Sequence, residues 1–124
     1  MSHDDHEDDH DMSPEAAEKL TEPTAVLVKE GWLTKKGGKQ GFLGMTSWKK
    51  RWFEMTSNSI AYSEKAGTAV KGGILLETVT ACRLATDAEC SVPNGFIIDT
   101  NSDRTFVMHA SSVAERDSWI SNII

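Results

Sequence analysis

The sequence has no long hydrophobic run and no targeting segment. No stretch approaches the roughly 18 consecutive apolar residues that a membrane-spanning helix requires, and no apolar signal-peptide core follows the first residue. The second residue is Ser2 rather than glycine, so N-myristoylation is excluded. These absences predict a cytoplasmic protein.

Cysteine is scarce, with Cys82 and Cys90 the only two in 124 residues. Two thiols cannot form the framework of several disulfides that holds small secreted domains together, and neither has the neighbours of a metal site. Cys82 lies within an apolar run, which favours a small core residue over a reactive thiol. Both cysteines therefore fit a reducing compartment.

Groups that could carry out catalysis are missing from the main part of the chain. His109 is predicted to point outward from a strand, with no serine or cysteine nucleophile paired to it. The net charge over residues 23–124 is only +2, and the tryptophans and phenylalanines fit core or strand anchors better than a nucleic-acid stacking platform. We therefore predict a non-catalytic domain with no cofactor, no metal and no nucleic-acid partner.

Charge divides the chain into two unlike parts. Residues 1–22 hold nine Asp or Glu, one Lys and almost no large apolar residue. Such a segment cannot bury enough surface to offset the entropy of ordering, so residues 1–24 are predicted to be a disordered acidic tail rich in His and Asp. Two further hypotheses are loose metal binding by His3, His6 and His10, and weak competition of the tail for a basic site.

From residue 25 onward, short runs of strand length are separated by turn residues. Seven such runs at roughly even spacing favour a small antiparallel barrel or sandwich. We therefore predict one mostly β domain over residues 25–124. The seven runs are KEGWLTKK, SWKKRWFEMTS, SIAYSEK, GGILLETV, TACRLA, FIIDT and RTFVMHA.

The apolar pattern changes from strand to helix spacing after the seventh run. Ser112 followed by Glu115 is a capping box, which predicts that one C-terminal α-helix begins here. This helix is expected to cap the barrel with Trp119 buried. The chain ends inside the pattern without a C-cap, which predicts a truncated helix or an excised domain. The apolar stripe consists of Val113, Trp119, Ile120, Ile123 and Ile124.

Positive charge is concentrated in residues 29–51, which hold seven cations and one anion. Side chains alternate across a strand, so Lys49 and Arg51 share the face of Phe53, and Lys35 lies on the inward face of its own strand. A buried, unpaired cation is very costly. The inward face is therefore predicted to open to water where the two strands meet their connecting loop.

Lys35, Lys49 and Arg51 are predicted to lie at one end of the barrel, which we call the basic rim. Three cations there make a site for a multiply charged anion, because arginine gives forked bonds to phosphate oxygens and lysine gives a point charge. Arg104 begins the seventh run, and it lies at the basic rim if the curvature of the barrel places the start of that strand there. Solvated strand-end charge is the alternative interpretation, and we favour it for Lys29, Lys36, Lys39 and Lys50.

These features together resemble the pleckstrin homology family. Seven strands and a C-terminal helix with an inward tryptophan are that family's plan, and the resemblance covers residues 26–124. Its phosphoinositide-binding members carry a basic residue at the end of the first strand. In the second strand they carry the motif Lys/Arg-x-Arg, followed by two large apolar residues. Lys35 and the run Lys49-Lys50-Arg51-Trp52-Phe53 match that pattern. The segments VKEGWLTKKG, NGFII and RTFVMHASSVAERDSW are most similar to the N-terminal pleckstrin homology domain of protein kinase B.

The resemblance implies a signalling module that binds phosphoinositides, is recruited reversibly to the membrane surface and regulates an attached serine/threonine kinase. It implies that Lys35 and Arg51 hold the 3-phosphate region of the head group, with Lys49 and Arg104 beside other phosphates. Secondary contacts are expected from Lys36, Lys39 and Lys65, and membrane contact from the loop residues Phe42, Leu43 and Met45, which could instead fold back on the domain.

A protein-interaction module with weak or no lipid specificity is the alternative. Lipid-binding members of the family often place a basic residue after Tyr62, where this chain has Ser63 and Glu64, with Lys65 one or two positions late. The first loop, GGKQGFLGMTS, is also longer than in protein kinase B. In this alternative the sheet surface or the helix, rather than the basic rim, contacts the partner.

Overall fold

The computed structural model describes residues 25–37, 47–102 and 104–124, so the predicted tail at 1–24 lies outside the described part. Its elements are β1 (Leu27–Lys36), β2 (Trp48–Thr56), β3 (Ser59–Ser63), β4 (Val70–Leu75), β5 (Val79–Leu84), β6 (Gly95–Thr100), β7 (Thr105–His109) and α1 (Val113–Ile123). The strands form one antiparallel sheet in the order β4-β3-β2-β1-β7-β6-β5. The predicted mostly β class, with seven antiparallel strands and one C-terminal helix, is confirmed.

The sheet bends round a single core, to which both of its halves contribute. Tyr62 on β3 and Ile74 on β4 come from one half, and Phe96 and Ile98 on β6 come from the other. A 3₁₀ turn at Leu76–Thr78 joins β4 to β5, the two outermost strands of the sheet. The inward faces of all seven strands therefore enclose one interior.

Burial alternates along the inner part of β1 and along β2 as the sequence predicts. On β2, Arg51, Phe53 and Met55 are buried, and the residues between them are more exposed. On β1, Leu33 and Lys35 are buried in the same way. The predicted face assignments are therefore correct for both strands.

The helix α1 covers the end of the barrel at which β1 begins. Its N-cap is Ser112, whose Oγ accepts a hydrogen bond from the backbone N–H of Glu115 at 3.1 Å. Trp119 is fully buried, and the Nζ of Lys29 lies 5.1 Å from its ring centroid. A Cβ added at Gly31 would lie 3.8 Å from the Trp119 ring, which is ordinary van der Waals contact, so Gly31 lies directly beside the tryptophan. The predicted cap and buried tryptophan are confirmed.

Two members of the predicted helical stripe lie outside the core. Val113 is 53% exposed and Ile124 is 73% exposed. The helix meets the sheet through Trp119, with Ile120 and Ile123 partly buried beside it. Val113 begins the helix and Ile124 follows its last residue, so the contact with the sheet runs from Trp119 to Ile123 and excludes these two positions.

The three remaining tryptophans lie on the outer face of β1 and β2. Trp32 and Trp52 are directly opposed across the two strands, with ring centroids 5.3 Å apart in an edge-to-face arrangement. Trp48 packs against His109 of β7 with centroids 4.9 Å apart. The predicted outward orientation of His109 is thereby confirmed, and its burial against this neighbourhood lowers its pKa.

Both cysteines are buried, and neither is part of a metal cluster in the described residues. Desolvation by burial, with a smaller effect from the charge of Asp99, raises the pKa of Cys82 to about 12. Cys82 is therefore an unreactive core residue, as its apolar surroundings in the sequence predict. Among the helices described here, none is long and apolar enough to cross a membrane.

Candidate functional site

The basic residues of β1 and β2 meet at the end of the barrel that lies away from α1. Lys35 on β1 is directly opposite Lys49 on β2, and Leu33 is directly opposite Arg51. Like charges at opposed positions destabilise an antiparallel pair. The register therefore brings together the three predicted site residues, in an arrangement that an anion between them would stabilise.

The side chain of Lys35 packs against residues of the core. Its side chain is only 1% exposed, and its Nζ lies 5.0 Å from the ring centroid of Tyr62, which is fully buried. On its other side Lys35 is paired with Met108 of β7. The aliphatic stem is thus packed among apolar neighbours, while the aromatic face offsets part of the cost of desolvating the ammonium group.

Arg51 is also buried, with 8% of its surface exposed. Its Nη1 donates a hydrogen bond to the backbone carbonyl of Lys50 at 3.1 Å. The prediction that this face opens to water is therefore wrong for Lys35 and Arg51, and only Lys49 of the three is half-buried. The long side chains of Lys35 and Arg51 have apolar stems that lie along the core instead of extending into solvent.

Arg104 lies at the same end of the sheet as this group. β7 runs antiparallel to β1 with Lys35 opposite Met108, so the start of β7 is next to the end of β1. Arg104 immediately precedes β7 and, by strand spacing, lies about 13 Å beyond Met108 along the strand. Its guanidinium lies 4.5 Å from the Phe106 ring centroid, and its carbonyl accepts a hydrogen bond from Thr100 Oγ1 at 2.6 Å.

The secondary cations occupy different positions. Lys36 is opposite Trp48, one position beyond Lys35, and so lies on the outer face. Lys65 is exposed in the turn between β3 and β4, where its backbone N–H donates to Thr68 Oγ1 at 3.3 Å. Four further predicted residues lie outside the described part of the chain, namely Lys39, Phe42, Leu43 and Met45.

An ion pair lies where β3 ends and β4 begins. Ser63 is buried opposite Trp52, on the outer face of the sheet. Glu64 follows it and lies 3.6 Å from the Nζ of Lys71. Lys71 was missed by the sequence interpretation, although the β3–β4 hairpin necessarily returns the start of β4 to this end. Its charge is partly offset by Glu64, which weakens its attraction for an external anion.

Known proteins with similar sequence or structure show which family the chain belongs to. The chain is 35% identical over 101 residues to a RAC family serine/threonine-protein kinase homolog of Dictyostelium discoideum. The matched region covers 82% of this chain and 21% of the relative. The chain is also 31% identical over 119 residues to an ankyrin repeat, PH and SEC7 domain containing protein of the same organism, of which it covers 11%. The chain thus spans about a fifth or less of the length of these curated relatives.

Solved structures agree in fold. The C-terminal PH domain of pleckstrin in complex with D-myo-Ins(1,2,3,5,6)P5 matches with a TM-score of 0.66 and 25% identity, over 81% of this chain and 94% of that one. The PH domain of the human pleckstrin homology domain-containing protein family A member 5 matches with a TM-score of 0.63 and 27% identity, over 82% and 77% of the two chains. The family model described as PH domain matches residues 27–124. This protein therefore belongs to the pleckstrin homology domain family.

Proposed function

We propose that this domain binds the head groups of phosphoinositides and thereby recruits its protein reversibly from the cytoplasm to the membrane surface. The observation that carries the proposal is the direct opposition of Lys35 and Lys49, with Arg51 two positions farther along the same face of β2. Arg104 at the same end of the sheet assists them. PH domains are in general non-catalytic modules, and the proposed activity is binding alone.

The chemistry of the rim suits a phosphorylated inositol. Two ammonium groups and a guanidinium on adjacent strands offer point charges and a forked donor to an anion with several negative charges. The pleckstrin domain with similar structure is in complex with an inositol pentakisphosphate, which supports this ligand class. Because Lys35 and Arg51 are buried, binding requires their terminal groups to turn toward the rim.

Further contacts extend the proposed site. Lys36 and Lys65 add positive charge near the rim, which strengthens attraction to an anionic leaflet by about 1 kcal/mol for each basic residue close to the surface. Lys39 and the loop residues Phe42, Leu43 and Met45 remain predicted contacts with the head group and the membrane. By its similarity to the RAC family kinase homolog, the parent protein is proposed to be a kinase that this domain regulates.

Binding to vesicles and to soluble inositol phosphates tests the proposal. We expect co-sedimentation with vesicles that contain phosphoinositides, and its loss in Lys35→Ala and Arg51→Ala. Lys50→Ala is the matched control, because Lys50 lies between Lys49 and Arg51 on the exposed outer face. Circular dichroism and urea unfolding establish that each variant is folded. Equal binding by the folded variants and the unchanged protein would contradict the proposed site.

A protein-interaction module is the second candidate function. Glu64 beside Lys71 and the exposed Trp32 on the outer face both favour it. In that case the domain does not sediment with phosphoinositide vesicles, and NMR titration with inositol phosphates leaves the signals of Lys35, Lys49 and Arg51 unchanged.

A further inference from the structure

The outer face of β1 and β2 carries an ordered sequence of cross-strand pairs. From the end of the strands near the basic rim, these pairs are Lys36 with Trp48, Thr34 with Lys50, Trp32 with Trp52, and Glu30 with Glu54. Positive charge thus lies toward one end of the face, aromatic rings lie in the middle, and negative charge lies toward the other end. We call the last three of these pairs the tryptophan face.

The tryptophan face is accessible to solvent, and the contacts within one copy of the chain cover only part of it. Trp32 is 42% exposed, and Glu30 and Lys50 are exposed. The Nζ of Lys50 lies 5.1 Å from the Trp32 ring centroid, and the Nε1 of Trp52 donates to Glu54 Oε2 at 3.0 Å. Large aromatic residues with polar groups around them are typical of the centre of a protein interface.

Glu30 and Glu54 are directly opposed, which places two negative charges side by side. Like charges at opposed positions of an antiparallel pair are unfavourable. A cation from outside the pair would relieve this repulsion. Lys50 cannot be that cation within one copy, because it lies two pairs farther along the face, over Trp32.

We propose that the tryptophan face binds the same face of a second copy of this chain, about a two-fold axis that passes through the tryptophan pair. A two-fold axis parallel to the sheet and perpendicular to the strands reverses the strand direction of the second copy. It therefore sets Lys50 of each copy opposite Glu54 of the other, Thr34 opposite Glu30, and the tryptophans against each other. The face is self-complementary in charge under this one operation.

The arrangement places the two basic rims at opposite ends of the dimer, because each rim lies at the same end of its own β1 and β2. A flat membrane can then contact one rim at a time. The inference does not depend on the proposed lipid binding, since the residues of the tryptophan face lie on the opposite side of β1 and β2 from Lys35, Lys49 and Arg51.

Sedimentation velocity measures the oligomeric state directly. At an ionic strength of about 0.15 M and at loadings from about 10 µM to about 1 mM, we expect the average mass of the full chain to rise from 13.6 kDa toward twice that value. A mass that stays at 13.6 kDa over this range would overturn the proposal. A rise that persists unchanged in Trp32→Thr would overturn it as well, because Thr keeps the strand but removes the ring.

A charge exchange identifies the face and its symmetry. Lys50→Glu alone and Glu54→Lys alone each place like charges opposite one another twice in the dimer, so each is expected to remain a monomer. An equimolar mixture of the two variants, and the double variant, restore both ion pairs and are expected to dimerise. Lys65→Glu and Asp87→Lys make the same charge changes at exposed positions outside the face and are expected to dimerise normally.

Each result decides between the proposal and its rejection. Recovery of dimer in the double variant supports the two-fold arrangement, because its exchanged charges are complementary only where position 50 of each copy lies opposite position 54 of the other. Recovery in the mixture locates the contact on this face, since a face with two negative charges attracts a face with two positive charges. Failure of the mixture and of the double variant to dimerise, with folding intact by circular dichroism, would overturn it. Equal loss of dimer in the two control variants would show that net charge, rather than this face, controls association, and would overturn it too.

Discussion

The Nζ of Lys35 lies 5.0 Å from the ring centroid of Tyr62, so the end of this cation rests over a fully buried aromatic ring. The same cation is directly opposed to Lys49. A favourable contact with the ring and an unfavourable contact with a like charge thus act on one ammonium group. Removing the charge of Lys35 shows which of these two contacts has the larger effect on stability.

Replacing Lys35 with methionine tests this balance. Lys35→Met keeps the length of the side chain and removes its charge, so we expect the free energy of unfolding to rise by about 0.5–1 kcal/mol while inositol phosphate binding is lost. Urea unfolding and calorimetric titration measure the two effects. Lys36→Met, on the outer face, is the control and is expected to change neither by as much. A loss of stability in Lys35→Met would contradict the interpretation.

The N-cap of α1 gives a second prediction. Ser112→Ala removes the acceptor for the Glu115 N–H and is expected to lower the free energy of unfolding by about 1 kcal/mol. Ser112→Asp supplies another acceptor at the same position and is expected to keep most of the stability. Urea unfolding of the three proteins provides the comparison, and equal destabilisation by Ala and Asp would show that the cap hydrogen bond is not the cause.

Acid is expected to destabilise the fold through His109. Burial lowers the pKa of His109 in the folded protein, so the unfolded chain binds a proton more readily. The contribution of neutral His109 to the free energy of unfolding is therefore fully present above the ordinary histidine pKa of about 6.5. It is lost as pH falls through the lower pKa of His109 in the folded protein. Between about pH 7.5 and about pH 5, we expect His109→Gln to lose less stability than the unchanged protein. The tail histidines are the same in both proteins, so parallel pH profiles would contradict this origin.

The acidic tail is expected to weaken binding at the basic rim. Residues 1–22 carry nine acidic side chains and one lysine, and they are covalently tethered to the domain. Tethering gives them a high effective concentration near the rim, so removing these residues is expected to tighten inositol phosphate binding several-fold at low salt. The difference is expected to shrink as added salt screens the charges. A tail of equal length with Asn and Gln at the acidic positions serves as control and is expected to behave like the truncated protein.

The strands β1 and β2 could be predicted from sequence because each has a buried and a less buried side. On β2, the alternation of Arg51, Phe53 and Met55 with their neighbours fixes the face of every residue between the turns. The 3₁₀ turn at Leu76–Thr78 was missed, because the run GGILLETV contains no proline or internal glycine to interrupt a strand after Leu75. The location of the basic rim followed from the same period of two.

Burial at the site could not be predicted in the same way. Sequence alternation places Lys35 and Arg51 on the inward face, but it does not show whether their end groups reach solvent or fold along the core. That outcome depends on Tyr62 of β3 and Met108 of β7, which come from distant parts of the chain. The tryptophan face was hidden for a similar reason, since the opposition of Trp32 and Trp52 depends on the register of β1 and β2.

The placement of the aromatic residues also gives the protein built-in spectroscopic probes. Trp119 lies in the core, and its emission reports unfolding, whereas Trp32, Trp48 and Trp52 lie on the outer face and respond to whatever covers that face. Tyr62, the one tyrosine in the sequence, lies beneath Lys35, so its NMR ring signals report movement of that ammonium group. Tryptophan emission thus reports folding and contact at the outer face together, and the ring signals of Tyr62 report anion binding, without a label.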